Sequence, residues 1–278
     1  MNSSKSVKGE SPWIKRILIA VAVIYLGLVL FIPAINVFYQ AFKSGAGVFL
    51  TQLAKPQLLN AVTLTLIIAF IVVPINTVFG LCAAWAIARN RFPGRALVVS
   101  ILDIPFSVSP VVAGLMVVLL YGRSGWLGPF LEASNIKVTF ALAGMVLVSA
   151  FVTMPFVARE VIPVLEEVGA DQEEAAKTLG ANEWQTFWRV TLPNIRWGLL
   201  YGVILTNARV MGEFGAVSVV SGNIIRKTQT LALFVEASYK QYETQAAFAA
   251  ATLLACLGLI TLLLKVIIER KIGITKID

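Results

Sequence analysis

Six long apolar stretches separated by short polar ones set the rhythm of this chain: residues 17–37, 61–86, 96–120, 138–157, 199–220 and 246–268. A helix that crosses the hydrocarbon core of a bilayer needs roughly 20 mostly apolar residues, and each stretch reaches that length. The pattern predicts an all-α integral membrane protein with six transmembrane helices, one domain over residues 1–278. The first stretch follows Lys5, Lys8, Lys15 and Arg16, as the apolar part of a signal peptide would. Its run is too long and lacks a small-x-small cleavage site, so it reads as a retained first span. The connections leave no room for a second folded domain, and no internal repeat is visible. Small residues at helical spacing, Gly198 with Gly202 and Gly80 with Ala84, are candidates for close packing between helices.

Composition strengthens this picture. Of 278 residues, 58% are hydrophobic and 14% charged, with a mean hydropathy of +0.83, whereas soluble domains carry about 25% charged residues. The formal charge of +8 follows from where Lys and Arg sit, so nucleic acid is not an expected partner. Fifteen of them flank the spans on the side of the two termini and of the loops after the second and fourth spans, against seven on the other side. The positive-inside rule then places both termini, and the loop 159–197, in the cytoplasm. Histidine is absent, which removes His-based triads and zinc-protease motifs. Cys82 and Cys256 each lie inside an apolar run and are expected as buried small hydrophobes.

The most polar part of the loop runs from Glu174 to Pro193. Asp171 is expected to cap a short helix with Glu174 at its third position, and Gly180 to end it in the left-handed conformation. Ala175 and Ala176 would let a partner approach the backbone closely. Asn182 and Gln185 form a second capping pair, followed by Trp184, Phe187, Trp188 and Thr191 at the spacing of one helix face. That face is expected at the membrane interface, with Pro193 starting the helix that re-enters the membrane.

The order Glu174-Ala175-Ala176, Gly180, Val190, Leu192-Pro193 resembles the signature of the membrane subunits of bacterial ATP-binding-cassette (ABC) importers, with Val190 where that family usually has Ile. Three further stretches, 102–114 (LDIPFSVSPVVAG), 190–197 (VTLPNIRW) and 206–222 (TNAR, then GEFGAVSVVSG from Gly212), resemble the W-type permeases of sulfate/thiosulfate importers within it. The resemblance implies the type I importer permease fold in a bacterial inner membrane and an ATPase docked on the Glu174–Pro193 loop. It implies as partners an ATPase dimer, a sibling T-type permease, a periplasmic sulfate/thiosulfate-binding protein and membrane lipid. It implies no cofactor in this chain, ATP and Mg being held by the ATPase. In agreement, no Lys follows a Gly, so the Gly-Lys pair of a phosphate-binding P-loop is missing. Other oxyanions, such as molybdate, remain open as cargo.

Asp103, Arg209 and Glu213 fall within predicted spans, where a charge costs roughly 2.5–3.5 kcal/mol on insertion scales and marks a candidate functional site. Arg209 and Glu213 are four residues apart and can pair on one face. Either they neutralise each other while Asp103 contacts a helix terminus, or the three, with Asn207, line a low-affinity path for an oxyanion. Ser107, Ser109 and Thr206 are further candidate liners, and Pro105 and Pro110 should interrupt the third span. A reading from another class, an ion-driven secondary transporter, would use the same three charges as a relay and give the polar loop no role.

Overall fold

A computed structural model describes residues 12–271, and every regular element in them is helical. Lys5, Lys8, Lys276 and both termini, which entered the charge count, lie outside the described residues. In chain order the helices are α1 (Pro12–Leu26), α2 (Ile32–Phe42), α3 (Ala46–Leu53), α4 (Pro56–Arg89), α5 (Arg95–Ser107), α6 (Pro110–Tyr121), α7 (Gly128–Ala133) and α8 (Leu142–Thr153). They continue with α9 (Pro155–Val168), α10 (Asp171–Thr178), α11 (Glu183–Thr186), α12 (Leu192–Met211), α13 (Gly215–Ser221), α14 (Leu231–Lys240) and α15 (Thr244–Lys271). Four stretches are long and apolar enough to cross a membrane: Trp13–Phe42, Pro56–Arg89, Leu142–Val168 and Thr244–Leu264. The count reaches six if two bent helix pairs each make one span.

Those bends are the main departure from six simple rods. The third apolar stretch splits into α5 and α6 at 104°. Pro110 disfavours helical backbone at the residue before it. Ser109 accordingly sits at ψ 135° and Val108 at ψ 131°, two extended residues that turn the chain. Pro105, expected to contribute, lies inside α5 without ending it. The fifth stretch bends by 51° between α12 and α13. The fourth is longer than its apolar run: α8 and α9 carry on to Val168 because helix continues past lipid with polar residues on its surface.

Proline also explains two π turns. Gly27–Phe31 joins α1 to α2, and Phe187–Thr191 joins α11 to α12. In each case a proline, Pro33 or Pro193, stands two residues beyond. Proline offers no N–H and crowds the carbonyl four residues back, so a wider turn there lets the helix run on. Pro193 therefore continues a helix that began at Glu183 rather than starting a new one.

α9 is the axis of the bundle, clamped between α4 and α12 by the small-residue seams. A Cβ on Gly80 would lie 2.7 Å from Val157 Cβ, one on Gly202 2.9 Å from Val157 Cα, and one on Gly198 2.8 Å from the Glu160 carbonyl oxygen. Only glycine allows backbones this close, and in lipid such packing replaces the hydrophobic drive that lipid cannot supply. Ala84, Val157, Val161, Leu165 and Ile195 fill the space beside the seam. The first span stands exposed within this chain and leans on α15 through α2. Cys82 is exposed on α4 and Cys256 half-buried, so neither is the core residue expected from its apolar surroundings; α4 turns more than one apolar face outward, toward lipid.

Candidate functional site

The polar segment between α9 and α12 folds as two short helices. Asp171 is not the N-cap. Ala170 holds that place, already near helical at φ −100° and ψ −10°, and no side chain caps α10. The entry explains it: Gly169, at φ 69°, turns the chain straight into the helix and leaves no extended residue from which a side chain could reach back. Asp171, Glu173 and Glu174 occupy the first turn, where acidic groups meet the positive end of the helix dipole. At the other end Gly180 lies at φ +90°. The Gly180 amide donates to the Lys177 carbonyl and the Ala181 amide to that of Ala176, both at 3.0 Å, a Schellman closure. A Cβ on Gly180 would meet nothing within 4 Å, so the demand for glycine comes from backbone conformation, with space left for a partner. The Asn182/Gln185 capping box is present: Asn182 Oδ1 accepts the Gln185 amide at 2.8 Å and Gln185 Oε1 accepts the Asn182 amide at 3.0 Å.

The two faces of α10 differ sharply. Outward stand Glu174, Ala175, Gly180 and Leu179, with half-exposed Ala176 beside them. Leu179 is 88% exposed although large and apolar, a solvated knob at the tip of the segment. Inward stands Glu173, whose carboxylate accepts Arg89 Nε at 3.0 Å, Arg89 Nη2 at 2.9 Å and the Thr191 hydroxyl at 2.9 Å. Arg89 Nη1 donates to the Leu165 carbonyl at 2.7 Å. Lys177 bridges α10 to α11 by donating to Glu183 at 2.7 Å, and that bond raises its pKa above the usual lysine value.

The later signature residues play another part. Val190 and Leu192 are half-buried in the π turn and the start of α12, and Pro193 is exposed. Thr191 points inward to Glu173, so it leaves the expected aromatic face. Phe187 stacks on Trp85 with centroids 5.7 Å apart, while Trp184 and Trp188 remain exposed. Glu173 was expected beside Glu174 at the positive amino end of the helix but not as an inward anchor, and Arg89 and Leu179 were given no role. Leu179 had a signal, an apolar residue inside a polar island. Arg89 was one of three arginines after the second span, with nothing local to mark its partner.

The charges of the predicted spans form two separate pairs, one largely exposed and one with a buried acid. Asp103 accepts Arg159 Nε at 2.8 Å and Nη2 at 2.6 Å, and the guanidinium lies 5.3 Å from the Phe106 ring centre. Asp103 thus contacts neither a helix terminus nor Arg209. Arg159, expected in the loop, is on α9 because that helix is continuous there. Arg209 pairs with Glu213, whose other oxygen accepts the Ala216 amide at 2.9 Å. Glu213, one residue before the N-cap Phe214, therefore satisfies a first-turn amide of α13 at the bend, buried to 1% side-chain exposure, while Arg209 keeps 34%. Asn207 lines an apolar groove of about 600 Å³ with Thr63, Phe70, Pro74 and Met211. Thr206 is turned away, its hydroxyl bonded to the Gly202 carbonyl at 2.7 Å, whereas Ser107 and Ser109 are exposed at the α5–α6 break.

Comparison with known proteins matches this arrangement. The chain is 62% identical over 260 residues to the sulfate transport system permease protein CysW of Synechocystis sp., covering 94% of each. It is 51% identical to the protein of that name from Escherichia coli K12, covering 92% of this chain and 88% of the relative. It is 38% identical to the sulfate transport system permease protein CysT of the same organism, covering 87% of each. In three dimensions it superposes on a bacterial ABC transporter involved in import of the acidic polysaccharide alginate, with TM-score 0.79 and 18% identity over 94% of this chain and 96% of the other. That likeness establishes the permease fold. Residues 76–274 match the family described as binding-protein-dependent transport system inner membrane component, and the chain belongs to that family of multi-pass permease subunits.

Proposed function

We propose that this chain is the W-type permease of a sulfate/thiosulfate importer, forming half of the translocation path and driven by a separate ATPase dimer that binds ATP and Mg. The observation that carries the subunit type is the difference in identity, 51% to the W-type relative against 38% to the T-type relative of one organism; the cargo follows from both relatives being sulfate permeases. The T-type subunit is then the sibling that supplies the other half, and a periplasmic binding protein delivers the anion. The charge bias supports cytoplasmic termini and a cytoplasmic 169–191 segment.

The outward face of α10 suits docking on the ATPase. Its small Ala175 admits a partner backbone, Leu179 offers an apolar anchor and Glu174 a charge at the rim. Closure of the ATPase dimer draws the docking helices of the two permeases together and turns the bundle from inward-open to outward-open; hydrolysis resets it. Arg209, half-exposed beside a buried counter-ion, offers a passing oxyanion a transient positive potential, with Asn207 next to it. Selectivity then resides in the binding protein. The ion-driven alternative loses its relay, because Asp103 is engaged by Arg159.

Gly180→Asp and Glu174→Lys test the docking role. Each should insert and assemble with the sibling permease yet lose uptake of labelled sulfate. Normal uptake by either variant beside the intact ATPase would remove α10 from the docking surface.

A further inference from the structure

We infer that Glu173 is the positioning residue that locks α10 to the bundle, so that α4, α9 and the π turn before α12 move with it as one body. The inference rests on the coupling reading above and adds how motion leaves the docking helix.

α10 has almost nothing else to hold it. It spans two turns, and Glu173 is its one buried residue. Its other attachments, Asn194 Nδ2 to Gln172 Oε1 at 2.8 Å and Lys177 to Glu183 at 2.7 Å, are exposed, and such contacts constrain little in water. The Glu173 carboxylate instead joins three segments: the last residue of α4 through Arg89, the last turn of α9 through Arg89 and the Leu165 carbonyl, and the π turn through Thr191.

The chemistry fits transmission better than mere stability. A buried ion pair seldom stabilises more than a well-packed apolar contact of the same volume. Its advantage is direction. The planar guanidinium fork meets the carboxylate at two points and fixes both distance and angle, whereas apolar side chains let a short helix slide. Adjacent residues on a helix point about 100° apart, so Glu173 grips the bundle while Glu174 faces the partner. Two neighbouring acids thus divide holding from docking.

The test uses the complete importer in proteoliposomes, with ATP hydrolysis and labelled sulfate uptake measured on the same sample to give anions carried per ATP. In Glu173→Gln the shape and the Thr191 bond persist but the charge is lost. The ATPase should still co-purify in the normal ratio, hydrolysis should continue, and anions per ATP should fall at least about tenfold, since breaking one side of a buried pair exceeds the energy of a single decade. Glu173→Asp, one methylene shorter, should fall between, and Thr191→Val, which removes a single hydroxyl, should lose about two- to threefold. If Glu173→Gln does not assemble, Thr191→Val decides. Unchanged anions per ATP in the variants that assemble, or uptake and hydrolysis that fall together with the amount of complex, would overturn the proposal. Failure of the docking reading looks different: Glu174→Lys would then transport normally whatever the Glu173 series does.

Discussion

Two arginine–glutamate pairs sit in the two regions proposed for coupling and for the path, and they are built on opposite plans. Arg209 and Glu213 lie four residues apart at the end of one helix, and their pair, with the Ala216 amide, shapes the bend into α13. Arg89 and Glu173 lie 84 residues apart and draw together helices that have no other strong tie. The first pair leaves its arginine 34% exposed; the second seals both partners to 11%. A local pair with an open guanidinium can meet a passing anion without linking separate bodies. A remote, sealed pair can do little with solutes and much with forces. In the proposed mechanism, transport driven from outside the membrane uses both kinds, and the fold keeps them apart.

The sharpest way to break the contrast is Arg89→Leu. It strands the Glu173 carboxylate in a buried site, which costs about 3–5 kcal/mol, and should lower the thermal midpoint of the detergent-solubilised complex. Arg89→Leu with Glu173→Leu should recover most of that midpoint, since no charge is then stranded, but not the transport. Arg209→Gln with Glu213→Gln should do the reverse, because no carboxylate is then stranded at the 1% exposed position and the bond from the Ala216 amide can persist. A charged hydrogen bond to the anion is worth about 1.5–3 kcal/mol, so uptake should drop at least about tenfold while assembled protein stays near normal on a quantitative blot. Equal loss of both would reduce Arg209 to a structural role.

Smaller effects sharpen the picture. Asn182→Ala removes one half of the capping box, about 1 kcal/mol, and should speed amide exchange in α11 while sparing α10. Lys177→Met should change least. Its raised pKa means that the bond to Glu183 contributes below the usual lysine value of 10.5 and is lost only as pH rises past the raised one. The variant's uptake profile between about pH 6 and 9 should therefore run parallel to that of the parent protein.

What the sequence revealed follows the range of the physics involved. Gly180, the Asn182/Gln185 box and the Arg209–Glu213 pair depend on neighbours within one or two turns, and all three were readable from spacing alone. The glycine seams were visible as spacing, but that both clamp α9 was not, because the shared partner depends on tertiary packing. Asp103 with Arg159 and Glu173 with Arg89 are 56 and 84 residues apart, and no local pattern selects a partner at that range. That the third span is interrupted at Pro110 was readable from the proline, but the 104° angle was not, since lipid asks only for apolar side chains and is indifferent to the direction of the helix. The extension of α9 hid for the opposite reason: its polar residues mimic the end of a span.

The central claim is that this chain transports nothing alone and acts as the driven half of a path. The most direct measurement is uptake of labelled sulfate into a sulfate-uptake mutant expressing the chain alone, with the sibling permease and binding protein, and with these plus the ATPase. The account predicts uptake only with the full set, competed by unlabelled thiosulfate. Uptake by the chain alone, or with the ATPase omitted, would contradict it.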